Sequence, residues 1–130
     1  MNLLVVYLGM TLVTSFNGVT GSSPVDPLIM AIIQVESGGD TLAHNIKEDA
    51  AGVLQIRPIM VAEVNRLVGK NSFTLSDRWS VYKSIAMFNV IRSHTHNPTN
   101  EKLARNWNGG WQGYKKQSTI KYWNKVKKLL

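Results

Sequence analysis

Glu36 stands directly after the apolar run Ile32-Ile33-Gln34-Val35 and directly before Ser37-Gly38-Gly39. Its carboxyl is therefore expected at the C-terminal end of a helix, at the boundary of the core. Partial desolvation and the negative end of the helix dipole both raise the pKa of such a carboxyl. A carboxyl that keeps its proton near neutral pH is suited to general-acid catalysis. The other chemistry-bearing groups point elsewhere. There is no cysteine, which excludes a thiol nucleophile and a disulfide framework, and the three histidines, His44, His94 and His96, lack metal-ligand spacing. His94 and His96 read as parts of a solvated turn, and no cofactor is implied. Towards the C-terminus Lys115, Lys116, Lys121, Lys125, Lys127 and Lys128 lie among Trp107, Trp111, Tyr114, Tyr122 and Trp123, with no acid after Glu101. Rings interleaved with cations suit a sugar or polyanion surface, and single-stranded nucleic acid as a second reading.

The elements that must position these groups read as helices joined by polar loops. Asp26-Pro27 forms an N-cap and N1 pair, and Leu28, Ile29, Ile32, Ile33 and Val35 give a core-facing stripe that ends at Gly38-Gly39. Residues 40 to 52 have no apolar period and are expected as a loop with room for a short hairpin. Pro58 opens a second helix, which carries Ile59, Val61, Val64, Leu67 and Val68 and stops at Gly69. A third is expected from Ser80 to about His96, burying Ile85, Met87, Phe88 and Ile91. Thr99 is expected to cap a fourth ending at Gly109-Gly110, and Thr119 a fifth running to Leu130, with Val126, Leu129 and Leu130 towards the core. The fold class is mainly α.

Four blocks then stand in a telling order: Val35-Glu36-Ser37-Gly38-Gly39, Gly52-Val53-Leu54-Gln55-Ile56, Asn106-Trp107-Asn108-Gly109-Gly110 and Tyr122-Trp123-Asn124-Lys125-Val126. They resemble the ESG, GLMQI, AYNAG and YVxxV blocks of soluble lytic transglycosylases and goose-type lysozymes, over about residues 27 to 128. The resemblance implies a lysozyme-like helical domain with a catalytic cleft that cuts the β-1,4 bond between N-acetylmuramic acid and N-acetylglucosamine in peptidoglycan. It implies Glu36 as catalytic acid, with Ser37 beside it. Gln55 would bind the sugar or its N-acetyl group, for which an amide offers both donor and acceptor. Gly52 would let the backbone pass close to substrate, and Asn108 would bind sugar near the cleavage point. Trp107 replaces the usual tyrosine, keeping a flat face for stacking but losing the phenol hydroxyl. Tyr122 would point at Glu36 and hold its carboxyl.

A two-carboxylate glycosidase needs a second acid. Asp40, Glu48 and Asp49 follow the first helix, and of these Glu48 and Asp49 are the candidates for a second carboxylate. Some goose-type enzymes carry an aspartate just past the glutamine block, but here Arg57 follows Ile56. The resemblance therefore favours the lytic route, in which the C6 hydroxyl of N-acetylmuramic acid closes a 1,6-anhydro ring, over hydrolysis.

The chain has 130 residues, 44% of them hydrophobic, which suits one domain with a modest core. A formal charge of +7 favours a polyanionic partner. The expected partners are peptidoglycan strands and, through the C-terminal lysines, the anionic wall. Leu3 to Val13 is apolar apart from Gly9 and Thr11, and no charged residue precedes Asp26. The run is short for a membrane span. It resembles the apolar core of a signal peptide without the usual basic start, with a membrane anchor as the alternative. Residues 1–22 are thus expected as leader or anchor, residues 23–130 as the folded domain, and the chain as exported.

Overall fold

The computed structural model describes residues 26–130, so the expected leader, residues 1–22, lies outside the described residues. These form five α-helices and one two-stranded antiparallel sheet. Helix α1 spans Pro27–Ser37, strands β1 and β2 are His44–Asn45 and Ala50–Ala51, α2 is Pro58–Val68, α3 Val81–Ser93, α4 Asn100–Gly109 and α5 Ile120–Lys127. The mainly α fold with a small hairpin is as expected. Among the described residues no helix is long and apolar enough to cross a membrane.

Helix α1 is the buried axis of the fold. Asp26 caps it, its Oδ1 accepting from the backbone N–H of Leu28 at 2.9 Å and of Ile29 at 3.3 Å. The same side chain pairs with Arg92 of α3, which joins the helix start to its neighbour. Gly38 ends the helix at φ 62, where its N–H bonds to the carbonyl of Gln34. Leu28, Ile29, Ala31, Ile32 and Ile33 are buried, and Val35 is partly buried against the same core. Helices α4 and α5 pack against α1, while α2 packs against α3.

In the hairpin, His44 lies opposite Ala51 and Asn45 opposite Ala50, and Ala51 bridges back to Ile56. The buried Arg78 fastens this region. Its guanidinium donates to the carbonyls of Asp49 at 2.7 Å and Ile56 at 3.2 Å, and its Nε to Leu75 at 2.9 Å. A buried guanidinium needs such acceptors, because an unsatisfied one is costly.

Several boundaries and burials differ from expectation. Helix α3 ends at Ser93, not near His96, because Pro98 disfavours helical backbone in the residue before it and Asn97 sits at φ 49. Thr119 does not cap α5 with its side chain. It is buried, its hydroxyl 2.7 Å from the carbonyl of Gly113 and accepting from Arg105 Nε at 2.9 Å. Helix α5 stops at Lys127, which leaves Leu129 and Leu130 about half exposed at 51% and 49%, so of the three expected core residues only Val126 is buried. Ile59 is exposed because it lies about 200° around α2 from Val61, and Val68 is exposed at the helix end.

Candidate active site

A polar cleft of about 300 Å³ is lined by Glu36, Asn45, Glu48, Ala50, Gln55, Arg57, Met60, Trp107 and Asn108. Three stretches far apart in sequence therefore meet: the end of α1, the run from the hairpin into the start of α2, and the end of α4.

Glu36 is the half-buried acid of this cleft. Burial pushes its carboxyl up to about 7, against the opposing pull of the Tyr122 hydroxyl bond and the Arg57 charge; the charge of Glu48 adds a smaller upward push. Tyr122, on α5, donates to Glu36 Oε1 at 2.8 Å, across 86 positions of sequence. Burial, and then the neighbouring Glu36 carboxylate, push the Tyr122 phenol well above its ordinary value, so it stays a donor. The result is a carboxyl fixed in orientation and half protonated near neutral pH, which is the state a general acid needs.

The loop of residues 52–56 shapes the cleft wall. Gln55 sits at φ 51, a left-handed backbone that costs a non-glycine residue on the order of 1 kcal/mol. Its amide nitrogen donates to the carbonyls of Ala43 at 3.0 Å and Gly52 at 2.9 Å. Two carbonyl partners fix which end is nitrogen, since an amide oxygen cannot donate. Both donors are thus committed to the protein, and the oxygen is the end left to act as an acceptor. The expectation of a two-way amide reader is corrected to that of an acceptor. Gly52, buried at φ 77, is required by its own neighbours: a Cβ there would stand 1.9 Å from the carbonyl oxygen of Arg78. The close approach expected between this backbone and substrate is therefore occupied by protein backbone.

Ser37 holds the acid's helix to this loop. Its hydroxyl lies 2.8 Å from the carbonyl of Val53 and accepts from the N–H of Gly39 at 3.1 Å. It is absent from the cleft lining, and its part is to position Glu36's turn.

Trp107 and Asn108 approach from α4 in different ways. Trp107 is buried at 6% exposure, its indole N–H donating to the Leu54 carbonyl at 3.2 Å and its ring tilted on Phe88 with centroids 4.9 Å apart. It contributes to the cleft wall, although most of its face belongs to the core. Asn108 is exposed on the cleft. Its neighbour Asn106 is buried and serves the fold, accepting from the N–H of Tyr114 at 2.9 Å.

The two candidates for a second carboxylate separate cleanly. Glu48 is exposed and lines the cleft with Glu36. Asp49 is not among the lining residues; it bonds His44 at 2.8 Å and Arg78 at 3.3 Å, and the His44 bond is the largest pull holding its carboxyl below the usual range. Asp40 caps its own turn, accepting from the N–H of Leu42 at 2.9 Å. Arg57, noted in the sequence only as a departure, proves to line the cleft beside Glu36. Asn45 and Met60 line it too, and no sequence signal singled them out.

Among the described residues no group of three or more His, Cys, Asp and Glu could hold a metal ion. His94 and His96 are exposed near the end of α3. The C-terminal lysines divide: Lys116 Nζ bonds the Gly109 carbonyl at 2.7 Å and Lys115 lies 5.5 Å from the centre of the Tyr114 ring, while Lys121, Lys125, Lys127 and Lys128 are exposed.

Comparisons with protein families, with curated proteins and with solved structures found no match.

Proposed function

We propose that this chain is a lysozyme-like muramidase that cleaves the β-1,4 bond after N-acetylmuramic acid in peptidoglycan, with Glu36 as its acid. The observation that carries the reading is the Glu36 carboxyl: desolvated in a polar cleft, raised to about 7 and held by the Tyr122 hydroxyl. The four sequence blocks supply the substrate class, and the net charge of +7 suits an exported protein that meets a polyanionic wall.

Glu36 gives its proton to the leaving glycosidic oxygen as the bond to the anomeric carbon breaks. The acetamido group of the muramic ring stabilises the developing positive charge, with its N–H accepted by the free oxygen of Gln55. Asn108 hydrogen-bonds the ring near the cleavage point. The C6 hydroxyl of the same ring then attacks the anomeric carbon and returns its proton to the Glu36 carboxylate, which restores the acid. No water is consumed, and the product ends in a 1,6-anhydro ring. An intramolecular hydroxyl held in line has a large effective concentration over a loosely held water.

A second reading, hydrolysis, is favoured by one observation: Glu48 lines the same cleft and is a carboxylate able to activate water. Arg57, the residue after Ile56, offers no such base. Mass analysis of early products from purified peptidoglycan separates the two. The lytic reading expects every soluble muropeptide to be one water lighter than its reducing-end counterpart. Reducing-end products from the start would assign hydrolysis, with Glu48 as the base to replace; no soluble products at all would reject the enzyme reading.

A further inference from the structure

The loop that carries Gln55 is anchored differently on its two sides. After Gln55, Ile56 exchanges backbone hydrogen bonds with Ala51 at 3.0 Å and 3.1 Å, and its carbonyl accepts from Arg78 at 3.2 Å. Before Gln55, Val53 and Leu54 are buried, and among the described residues no backbone N–H reaches either carbonyl. Side chains from two helices take that place. The Ser37 hydroxyl of α1 lies 2.8 Å from the Val53 carbonyl, and the Trp107 indole N–H of α4 donates to the Leu54 carbonyl at 3.2 Å. A buried carbonyl without a donor is costly, so these two bonds decide where this side of the loop can rest.

The chain neighbours of the anchors give them a reach into the cleft. Ser37 follows Glu36, Leu54 precedes Gln55, and Asn108 follows Trp107. The two bonds thus tie together the stretches that carry the acid, the amide acceptor and the asparagine of the cleft. Gln55 depends on them most, because its backbone stands at φ 51 and a strained residue keeps its place only where its surroundings hold it. An indole suits the task. Its ring is packed on Phe88 in the core, which fixes the direction of the N–H, and that group can donate but never accept. A phenylalanine at 107 would keep a flat ring against Phe88 and the cleft, with no donor for Leu54.

We propose that Trp107 is a positioning residue: through the Leu54 carbonyl it sets the place of the Gln55 side-chain oxygen, with Ser37 as its counterpart on α1. What Trp107 brings to the reaction is this bond, not a stacking surface for sugar. The proposal rests on the muramidase reading, in which that oxygen accepts the N–H of the acetamido group.

The test is a double-mutant cycle on soluble peptidoglycan strands with the full chain. Trp107→Phe is expected to lower kcat/KM about tenfold, the scale of a small misplacement of a group that holds substrate. Gln55→Gly, whose backbone takes the left-handed conformation without strain, is expected to lower it at least as much. The double variant should fall within about twofold of Gln55→Gly alone, because a residue that acts through Gln55 then has nothing left to position. Amide hydrogen exchange supplies a readout independent of turnover. The Gln55 N–H, held by the Gly52 carbonyl at 3.1 Å, should exchange about tenfold faster in Trp107→Phe and in Ser37→Ala. A tryptophan analogue with sulfur in place of the indole N–H, inserted at position 107 alone, keeps the packing whole and should reproduce Trp107→Phe in both assays. Wild-type turnover in Trp107→Phe and in the analogue would overturn the proposal and leave the muramidase reading standing. So would losses that multiply in the double variant, or unchanged exchange at Gln55. Failure of the wild-type protein to cleave the strands would overturn the muramidase reading, and this proposal with it.

Discussion

The floor of the cleft and the exposed charges of the surface carry charge in opposite ways. On the floor, Glu36 and Tyr122 form one hydrogen-bonded unit, largely removed from water, and the carboxyl's proton affinity is set by burial. Elsewhere, Glu48 is exposed at the cleft, Asp49 is spent on His44 and Arg78, and Lys121, Lys125 and Lys128 are exposed on the surface. Salt and single substitutions act strongly on the second kind of charge only through association, because exposed charges are screened within about 10 Å at ordinary ionic strength. On the proposed function, the first kind of charge serves chemistry and the second attraction.

The comparison breaks first at Glu36. Glu36→Gln keeps the shape and removes the proton, so muropeptide release is expected to fall about 10²- to 10⁴-fold while circular dichroism stays unchanged. The same variant is expected to be more stable than wild type at neutral and alkaline pH. Glu36 binds its proton more tightly folded, at about 7, than unfolded, near 4.5. The folded state therefore holds more protons between those values, and stability falls as pH rises through that window. The amide escapes the loss, which is on the order of 3 kcal/mol by the size of the shift. Denaturant midpoints of the two proteins should converge at about pH 4 and separate by pH 8.

Tyr122→Phe should show a smaller effect of two parts. Loss of the hydroxyl loosens the carboxyl, and kcat is expected to drop about tenfold. It also removes a bond that favours the ionised form, so the alkaline limb of the pH profile should move upward. An unchanged limb would mean that Tyr122 serves packing alone.

Smaller still is the effect expected at the exposed charges. Replacing Lys121, Lys125 and Lys128 with Gln should weaken co-sedimentation with cell walls at low salt by a few-fold, and salt at about 0.5 M should erase the difference, since the screening length then is roughly 4 Å. Catalysis on short soluble strands should be untouched. Glu48→Gln is expected to do least on the lytic route: removing the like charge lowers Glu36's pKa slightly and moves the alkaline limb slightly downward. A collapse of activity in Glu48→Gln would instead move Glu48 from the exposed charges to the floor, as the base for water.

How far the sequence foretold this depends on the reach of each contact. Helix α1 and the place of Glu36 were readable because their determinants are neighbours: the Asp26-Pro27 cap, the apolar run and the Gly38-Gly39 stop. The hydrogen bond from Tyr122 to Glu36 was expected from block resemblance alone, as no local pattern links positions 86 apart. Gln55's role as an acceptor was not readable. Its nitrogen is consumed by Ala43, twelve residues back, and only the closed loop reveals that. Arg78, which fastens hairpin and loop from beneath, gave no signal, since a buried arginine looks like any other arginine in a polar stretch. Leu129 and Leu130 misled because apolarity at a chain end carries no periodicity to test it.

The central claim is that Glu36 works as a proton donor because the fold holds its pKa near neutrality. Its most direct test is the initial rate of muropeptide release by wild-type protein across about pH 3 to about pH 9, at constant ionic strength and saturating peptidoglycan. The account predicts a rate that falls with rising pH through an alkaline limb centred near 7, the value burial gives Glu36. A rate that is flat through neutrality, or that declines with a midpoint near the 4.5 of an ordinary glutamate, would contradict it.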